Sequence, residues 1–102
     1  MTPEGSVVSV IMGYLIAHNI YAWRNQTGVR GGVRYGKVGS ADIIGILDDG
    51  RFLAIECKAE GGQASNAQLI FLAEIAKRGG VAFVARSLDD VKEHLAKYGV
   101  AK

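Results

Sequence analysis

Three charged residues, Asp42, Glu56 and Lys58, lie within two apolar segments, where a strand that faces a core would carry apolar side chains. The segments, residues 39–47 and 51–58, are rich in branched side chains and are joined by a short turn that ends in Gly. This pattern predicts a β-hairpin. Because side chains alternate along a strand, Glu56 and Lys58 share one face. Two acids and one base gathered on a strand pair could bind a divalent cation and assist hydrolysis.

The length of the turn determines which of these residues face each other. If residues 48–50 form a three-residue loop, Leu47 pairs with Arg51, and counting back along both strands places Asp42 opposite Glu56. Directly opposed residues hold their Cβ atoms about 5 Å apart. Two carboxylates at that distance repel, or take up a proton, unless a cation lies between them. Mg²⁺ suits such a site because it binds a few carboxylate oxygens and keeps several waters, which leaves room for a phosphate.

A simpler alternative treats the same residues as ordinary charged positions. Asp42 would merely begin a strand, and Glu56 and Lys58 would form the solvated face of an edge hairpin. Charged residues in strands usually have that role, and a short E-x-K motif often matches by chance. The register and the flanking sequence favour a site over this alternative.

A wider pattern surrounds these residues, in which Gly39-Ser40-Ala41-Asp42 is followed by Glu56-Cys57-Lys58. This arrangement resembles the PD-(D/E)xK nuclease superfamily, and within it the virus-type replication-repair nuclease (VRR-NUC) domain. The resemblance spans nearly the whole chain, from Glu4 on the opening helix to residues 79–87. Ala41 stands where the superfamily has a proline, a departure that the loosely kept motif allows.

The resemblance implies a metal-dependent endonuclease that hydrolyses DNA phosphodiester bonds and selects branched, flap or junction structures rather than a base sequence. One or two Mg²⁺ or Mn²⁺ ions would be held by three side-chain carboxylates and one main-chain carbonyl, those of Glu4, Asp42, Glu56 and Cys57. Lys58 would orient the attacking water or stabilise the phosphorane. Gln68 would face the metal centre and help to place the water or the phosphate.

The elements before the hairpin are predicted as a helix and a strand. Thr2 caps a helix that begins at Pro3 and ends near Asn19. Helical spacing predicts a buried stripe made of Val7, Val10, Ile11, Tyr14, Leu15 and His18. Glu4 could simply complement the helix dipole, which is the commoner role for an acid in the first turn. His18 lies about 21 Å further along the helix axis than Glu4. These two residues therefore cannot ligate one ion.

Residues 20–24 alternate and predict a strand, on which Tyr21 and Trp23 could pack in a core or interface or stack on bases. Residues 25–39 contain five glycines and predict a mobile loop. Between Glu4 and Asp42 there is no acidic residue, whereas the interval contains four cations, Arg24, Arg30, Arg34 and Lys37. These cations could contact a phosphate backbone, or they could simply be solvated.

The elements after the hairpin are predicted as a helix from the Ser65 cap to about Arg78, a strand over Val81–Ala85 buried on both faces, and a last helix from the Ser87 cap to about Tyr98. The apolar face of the second helix is predicted as Leu69, Leu72, Ile75 and Ala76. His94 is predicted to be solvated. The order α-β-β-β-α-β-α predicts an α/β fold with a mixed central sheet flanked by helices, as in the restriction-endonuclease-like PD-(D/E)xK core.

Length and composition limit the classes of protein. The 102 residues, nearly half of them apolar, allow one compact domain over residues 1–102. The single cysteine, Cys57, excludes an internal disulfide and a multi-cysteine zinc site, and its thiol is expected to lie in the core with Leu53 and Ile55. No apolar run approaches the ~20 residues of a membrane span, and the basic start of a signal peptide is missing. We expect a cytoplasmic protein of a bacterium or a phage.

Two further expectations concern assembly and function. A domain this small is expected to form a homodimer in order to span a branched or duplex DNA, with an interface at Tyr14, His18, Ile20 and Tyr21. One competing function is a non-catalytic nucleic-acid-binding module that retains the nuclease fold. Another is a scaffold subunit of a larger assembly, which leaves the opposed carboxylates unexplained.

Overall fold

The computed structural model describes residues 2–100, and its elements form one larger and one smaller sheet with three helices among the described residues. The bounds are α1 Pro3–Ala17, β1 Tyr21–Arg24, β2 Gly28–Arg30, β3 Val33–Tyr35, β4 Ile43–Ile46, β5 Phe52–Cys57, α2 Asn66–Lys77, β6 Val81–Ala85 and α3 Leu88–Lys97. The larger sheet has the strand order β1-β4-β5-β6, and β2 pairs only with β3. The predicted mixed sheet flanked by helices is confirmed. Within residues 2–100, no helix is long and apolar enough to cross a membrane.

The β4–β5 hairpin has the register that the turn length predicts. Ile43 lies opposite Ile55 and Ile46 lies opposite Phe52. The N–H of Leu47 donates to the Arg51 carbonyl at 2.9 Å, so the loop contains three residues. The same register, continued by one residue beyond β4, places Asp42 opposite Glu56. β5 then pairs in parallel with β6, which makes the sheet mixed.

One face of the sheet is covered by α1 and α3. The buried residues of this layer come from both helices and from alternate strand positions, and they include Val8, Ile11, Met12, Leu15, Ile43, Leu53, Ile55, Cys57, Phe83, Val91 and Leu95. The predicted stripe of α1 is wrong at Val10 and His18, which are exposed, while Val8 and Met12 are buried instead. Apolar residues occur on several sides of this helix, so spacing alone could not identify the packed side.

The other face is covered only in part, by α2. Leu72 is buried and Phe71 and Ile75 pack beside it, against strand residues Ala54 and Ile44. The predicted apolar face is wrong at Leu69 and Ala76, which are exposed. The side of β6 that carries Ala82 and Val84 is only half-buried beneath the helix, so the prediction of full burial holds for one face of this strand.

Residues 28–35 form a hairpin rather than the predicted loop. Gly31 and Gly32 both have positive φ, 57° and 79°, and connect β2 to β3 as a two-residue turn. Two short alternating runs on either side of a Gly-Gly pair were the available signal. We call this hairpin the basic arm because it carries Arg30 and Arg34.

His94 does not have the solvated position that was predicted for it. Its ring packs on Phe83, with 4.3 Å between the ring centroids, and its Nδ1 atom is buried. His94 lies three residues after the buried Val91 and therefore falls on the side of α3 that faces the sheet.

Candidate metal centre

Three carboxylates, from α1, from β5 and from the residue that precedes β4, meet beside the end of the sheet. Glu4, Asp42 and Glu56 each place one oxygen so that all three oxygens lie within 4.8 Å of one another. Asp42 and Glu56 meet because of the hairpin register. Glu4 joins them because Thr2 caps α1, its hydroxyl accepting the Gly5 N–H at 2.9 Å, and this fixes Glu4 in the first turn.

Glu56 is the most unusual member of this cluster. Its side chain is 1% exposed, and its carboxyl group has no hydrogen-bonding neighbour among residues 2–100 other than the Asp42 carboxylate. Burial, with a further contribution from the Asp42 carboxylate, raises the pKa of Glu56 to about 9, although Lys58 opposes the shift. A buried carboxylate that no donor group hydrogen-bonds is costly. A hard divalent cation such as Mg²⁺ or Mn²⁺ would supply the missing positive charge and take oxygen ligands, so these residues fit one.

Asp42 is held from the neighbouring strand. The main-chain N–H of Cys57 donates to Asp42 Oδ2 at 2.8 Å, which occupies one carboxylate oxygen and leaves the other available. The Cys57 thiol lies on the opposite side of β5, buried with Leu53 and Ile55 as predicted. Burial, together with the negative charge of nearby carboxylates, raises the pKa of the thiol to about 12. The side chain is therefore a neutral core residue, and only the Cys57 main chain faces the cluster.

Lys58 brings the cluster its positive charge. Its Nζ lies 3.7 Å from Glu4 Oε1, and its side chain is only 12% exposed. The Lys58 N–H donates to the Ala85 carbonyl at 3.0 Å, which anchors this residue at the end of β6. Three carboxylates against one ammonium leave the centre negative when all are ionised, a balance that attracts a divalent cation.

Gln68 has a clear structural role at the start of α2. Its Oε1 accepts the Ser65 N–H at 2.8 Å, and its own N–H donates to Ser65 Oγ at 3.2 Å. This reciprocal pair is a capping box, which stabilises the first turn of the helix. A role for Gln68 toward water or phosphate stays a prediction.

The four predicted DNA-contacting cations do not form a single patch. Arg24 donates to Ser9 Oγ at 2.7 Å and is thereby directed to α1. Arg30 lies opposite Val33 and Arg34 opposite Val29, so these arginines point to the two different faces of the exposed basic arm. Lys37 follows the arm and lines a groove with Val38, Ala67, Ile70 and other residues of α2.

Asn25 is a residue of the site that the sequence did not reveal. Its N–H donates to the Asp42 carbonyl at 2.8 Å, directly behind the carboxylate cluster. A single Asn after a strand carries no recognisable pattern, so only the folded chain shows the contact.

A mixed sheet flanked by helices, with acidic residues at the end of its central strands, defines a restriction-endonuclease-like core. The model of the VRR-NUC domain family matches residues 12–89, and the chain therefore belongs to this family. Membership implies a nuclease-type function with DNA as the substrate. The matched region contains Asp42, Glu56 and Lys58 and begins after Glu4. A comparison with curated proteins found no match.

Proposed function

We propose that this protein is a metal-dependent nuclease that hydrolyses DNA phosphodiester bonds at the cluster of Glu4, Asp42 and Glu56. The observation that carries the proposal is the Glu56 carboxyl group, which is buried, has no N–H or hydroxyl donor at its oxygens among residues 2–100 and lies adjacent to two further carboxylates. A structural role alone would leave Glu56 as a buried neutral acid, held protonated by burial and by the Asp42 carboxylate. A cation-binding role explains both the burial of this acid and the convergence of three carboxyl groups.

We assign each residue of the cluster a role according to its position. Asp42 and Glu56 would hold Mg²⁺ or Mn²⁺, with the Cys57 carbonyl and Glu4 completing the protein ligands. When bound, such an ion polarises a phosphate and acidifies a coordinated water. The Lys58 ammonium, whose Nζ lies 3.7 Å from Glu4 Oε1, would orient that water or stabilise the negative charge that develops on the phosphate.

The basic arm supports the proposal that DNA structure, rather than base sequence, selects the substrate. Arg30 and Arg34 project from opposite faces of an exposed hairpin that is inserted between Asn25 and Ser40, next to Asp42. Cations on opposite faces can contact two separate phosphate backbones, as a branch or flap offers. Such contacts do not depend on base identity.

We further propose that the working unit is a homodimer that pairs through the uncovered part of the sheet. Tyr21 and Trp23 are 70% and 42% exposed, and Ile46 and Phe52 beside them are also exposed. Ile20, which was predicted to lie in the interface, is only 5% exposed because it packs in the core, and it cannot contribute. A contiguous apolar surface of this kind marks a site of association.

Cleavage of a DNA panel tests the nuclease proposal directly. Purified protein is incubated with duplex, flap and four-way-junction DNA, with Mg²⁺, with Mn²⁺ or with a chelator, and Glu56→Gln serves as the matched control. We expect metal-dependent cleavage by the wild type and none by the variant. DNA binding without cleavage by the wild type under all metal conditions would instead support the non-catalytic binding module.

Sedimentation equilibrium tests the assembly separately. Trp23→Glu places a charge within the uncovered sheet face and should convert a dimer to a monomer, whereas Ile16→Glu, at another exposed apolar position, should leave the dimer intact. A wild-type monomer that cleaves DNA would refute the dimer.

A further inference from the structure

Asn25 connects the end of β1 to the segment that carries Asp42. Its side-chain amide donates one hydrogen bond to Ser40 Oγ at 2.7 Å and a second to the Ala41 carbonyl at 2.9 Å. Its main-chain N–H donates to the Asp42 carbonyl at 2.8 Å. One residue thus contacts three consecutive residues, and both protons of its amide group are used.

The segment that Asn25 contacts precedes the regular strand, and Ala41 within it is buried in the core cluster beneath α2. β4 begins at Ile43, so Asp42 lies outside the regular strand. Ala41 has no ring that would restrict its backbone. Ser40 Oγ donates to the Lys37 carbonyl at 2.8 Å, which extends the network to the base of the basic arm. Asn25 and the burial of Ala41 together hold the backbone next to Asp42, while the Cys57 N–H orients the carboxylate from the other side.

We propose that Asn25 is a positioning residue, which sets the backbone of residues 40–42 so that the Asp42 carboxylate meets Glu56 and Glu4 in a geometry that binds a divalent cation. The proposal rests on the proposed function. Residues that orient metal ligands typically change metal affinity by about 10–100-fold when they are replaced.

Asn25→Leu tests this role because leucine has nearly the same shape but donates no side-chain hydrogen bond. Gln26→Leu is the matched control, since Gln26 is the next residue and is exposed. Mn²⁺ affinity is measured by calorimetry without DNA. A second readout is the amide signal of Cys57 in the ¹H–¹⁵N spectrum of metal-free protein, because that N–H reports its bond to Asp42 Oδ2.

The positioning role predicts that Asn25→Leu weakens Mn²⁺ binding about 10–100-fold and shifts the Cys57 amide signal, while Gln26→Leu changes neither. A folded Asn25→Leu protein with wild-type Mn²⁺ affinity and an unchanged Cys57 signal would overturn it. If Asn25→Leu does not fold, Ser40→Ala tests the role instead, because it removes the Ser40 hydroxyl that accepts one hydrogen bond from the Asn25 side-chain amide. It should move the Cys57 signal and lower Mn²⁺ affinity, and no change in either would overturn the role.

The two proposals fail differently. If the wild type does not bind Mn²⁺, the proposed function fails, but the Cys57 amide signal of the metal-free variants still shows whether Asn25 positions Asp42. If the wild type binds Mn²⁺ and Asn25→Leu changes neither readout, only the positioning role fails.

Discussion

The molecule contains two antiparallel hairpins that differ in almost every other respect. The β4–β5 hairpin lies in the middle of the four-stranded sheet, and its strands are largely buried. The basic arm pairs with no strand of that sheet, and its residues are almost all exposed. The first holds the acidic cluster and the second holds two of the cations proposed to contact DNA.

The contrast shows how burial specifies a hairpin. In β4–β5, a slip of one residue would turn Ile43 and Ile55 out of the core, so the register is strongly specified and the carboxylates must meet. In the basic arm neither face is buried, so only the Gly31-Gly32 turn sets the register. Rigid placement suits metal ligands, and an exposed arm suits contacts with a phosphate backbone.

The largest effect is expected for the buried hairpin. Asp42→Asn or Glu56→Gln should lower cleavage by more than the about 100-fold typical of residues that only orient a ligand, because each removes a negatively charged ligand. Near pH 7 the metal-free protein holds Glu56 protonated, so Glu56→Gln exchanges one neutral group for another of similar shape and the melting temperature should hold. Cleavage rates test the predicted loss of activity, and thermal melts test the predicted stability. Undiminished activity in either purified variant would contradict the assignment of that residue as a metal ligand.

Substitutions in the basic arm and at Lys37, which follows it, should weaken DNA binding rather than metal binding. Replacing Arg30, Arg34 and Lys37 together by Ala should weaken DNA binding and reduce the slope of its salt dependence by about 0.9 for each phosphate that is no longer neutralised, up to about three phosphates. Mn²⁺ affinity should stay unchanged because these residues do not ligate the ion. Binding titrations at several salt concentrations measure the slope. A wild-type slope in the variant would show that the arm does not touch phosphate.

The stability of the metal-free protein should depend on pH because of the raised pKa of Glu56. In metal-free protein its pKa is about 9 against an ordinary 4.5, so the folded state retains a proton that the unfolded state releases between these values. Stability should therefore fall as the pH rises through this range. Glu56→Gln cannot titrate and should flatten the profile. Melting temperatures across this pH range with a chelator test this, and parallel profiles for the two proteins would contradict it.

The smallest expected effect is a difference in melting temperature between two variants, each with one turn glycine replaced, one in each hairpin. Gly50 and Gly32 have φ of 90° and 79°, and a Cβ added to either meets no atom within 4 Å. Alanine should strain both by about 1–2 kcal/mol. Gly50→Ala should lower the melting temperature by about 4–8 °C per kcal/mol, because its hairpin unfolds with the core. Gly32→Ala should lower it little, because the arm can open by itself. Equal losses in thermal melts would show that the arm is part of the cooperative core.

The elements that position Asp42 and Glu56 were predictable because turn length and strand alternation are local properties of the chain. The helix caps Thr2, Ser65 and Ser87 were predictable for the same reason. The packed side of α1 was not, because apolar residues surround that helix. Asn25 was not predictable because its bonds to Ser40 and Ala41 join residues 15 and 16 positions apart, which only the tertiary fold brings together.

Binding of a divalent cation by the acidic cluster underlies every proposal made for this protein, and a calorimetric titration of Mn²⁺ into protein without DNA measures it. Wild-type protein should bind Mn²⁺ saturably and release a proton, because Glu56 with a pKa of about 9 must lose its proton to become a ligand. Glu56→Gln should bind far more weakly and release no proton from this position. Equal Mn²⁺ affinity in the two proteins, or no binding by the wild type, would contradict cation binding at this cluster.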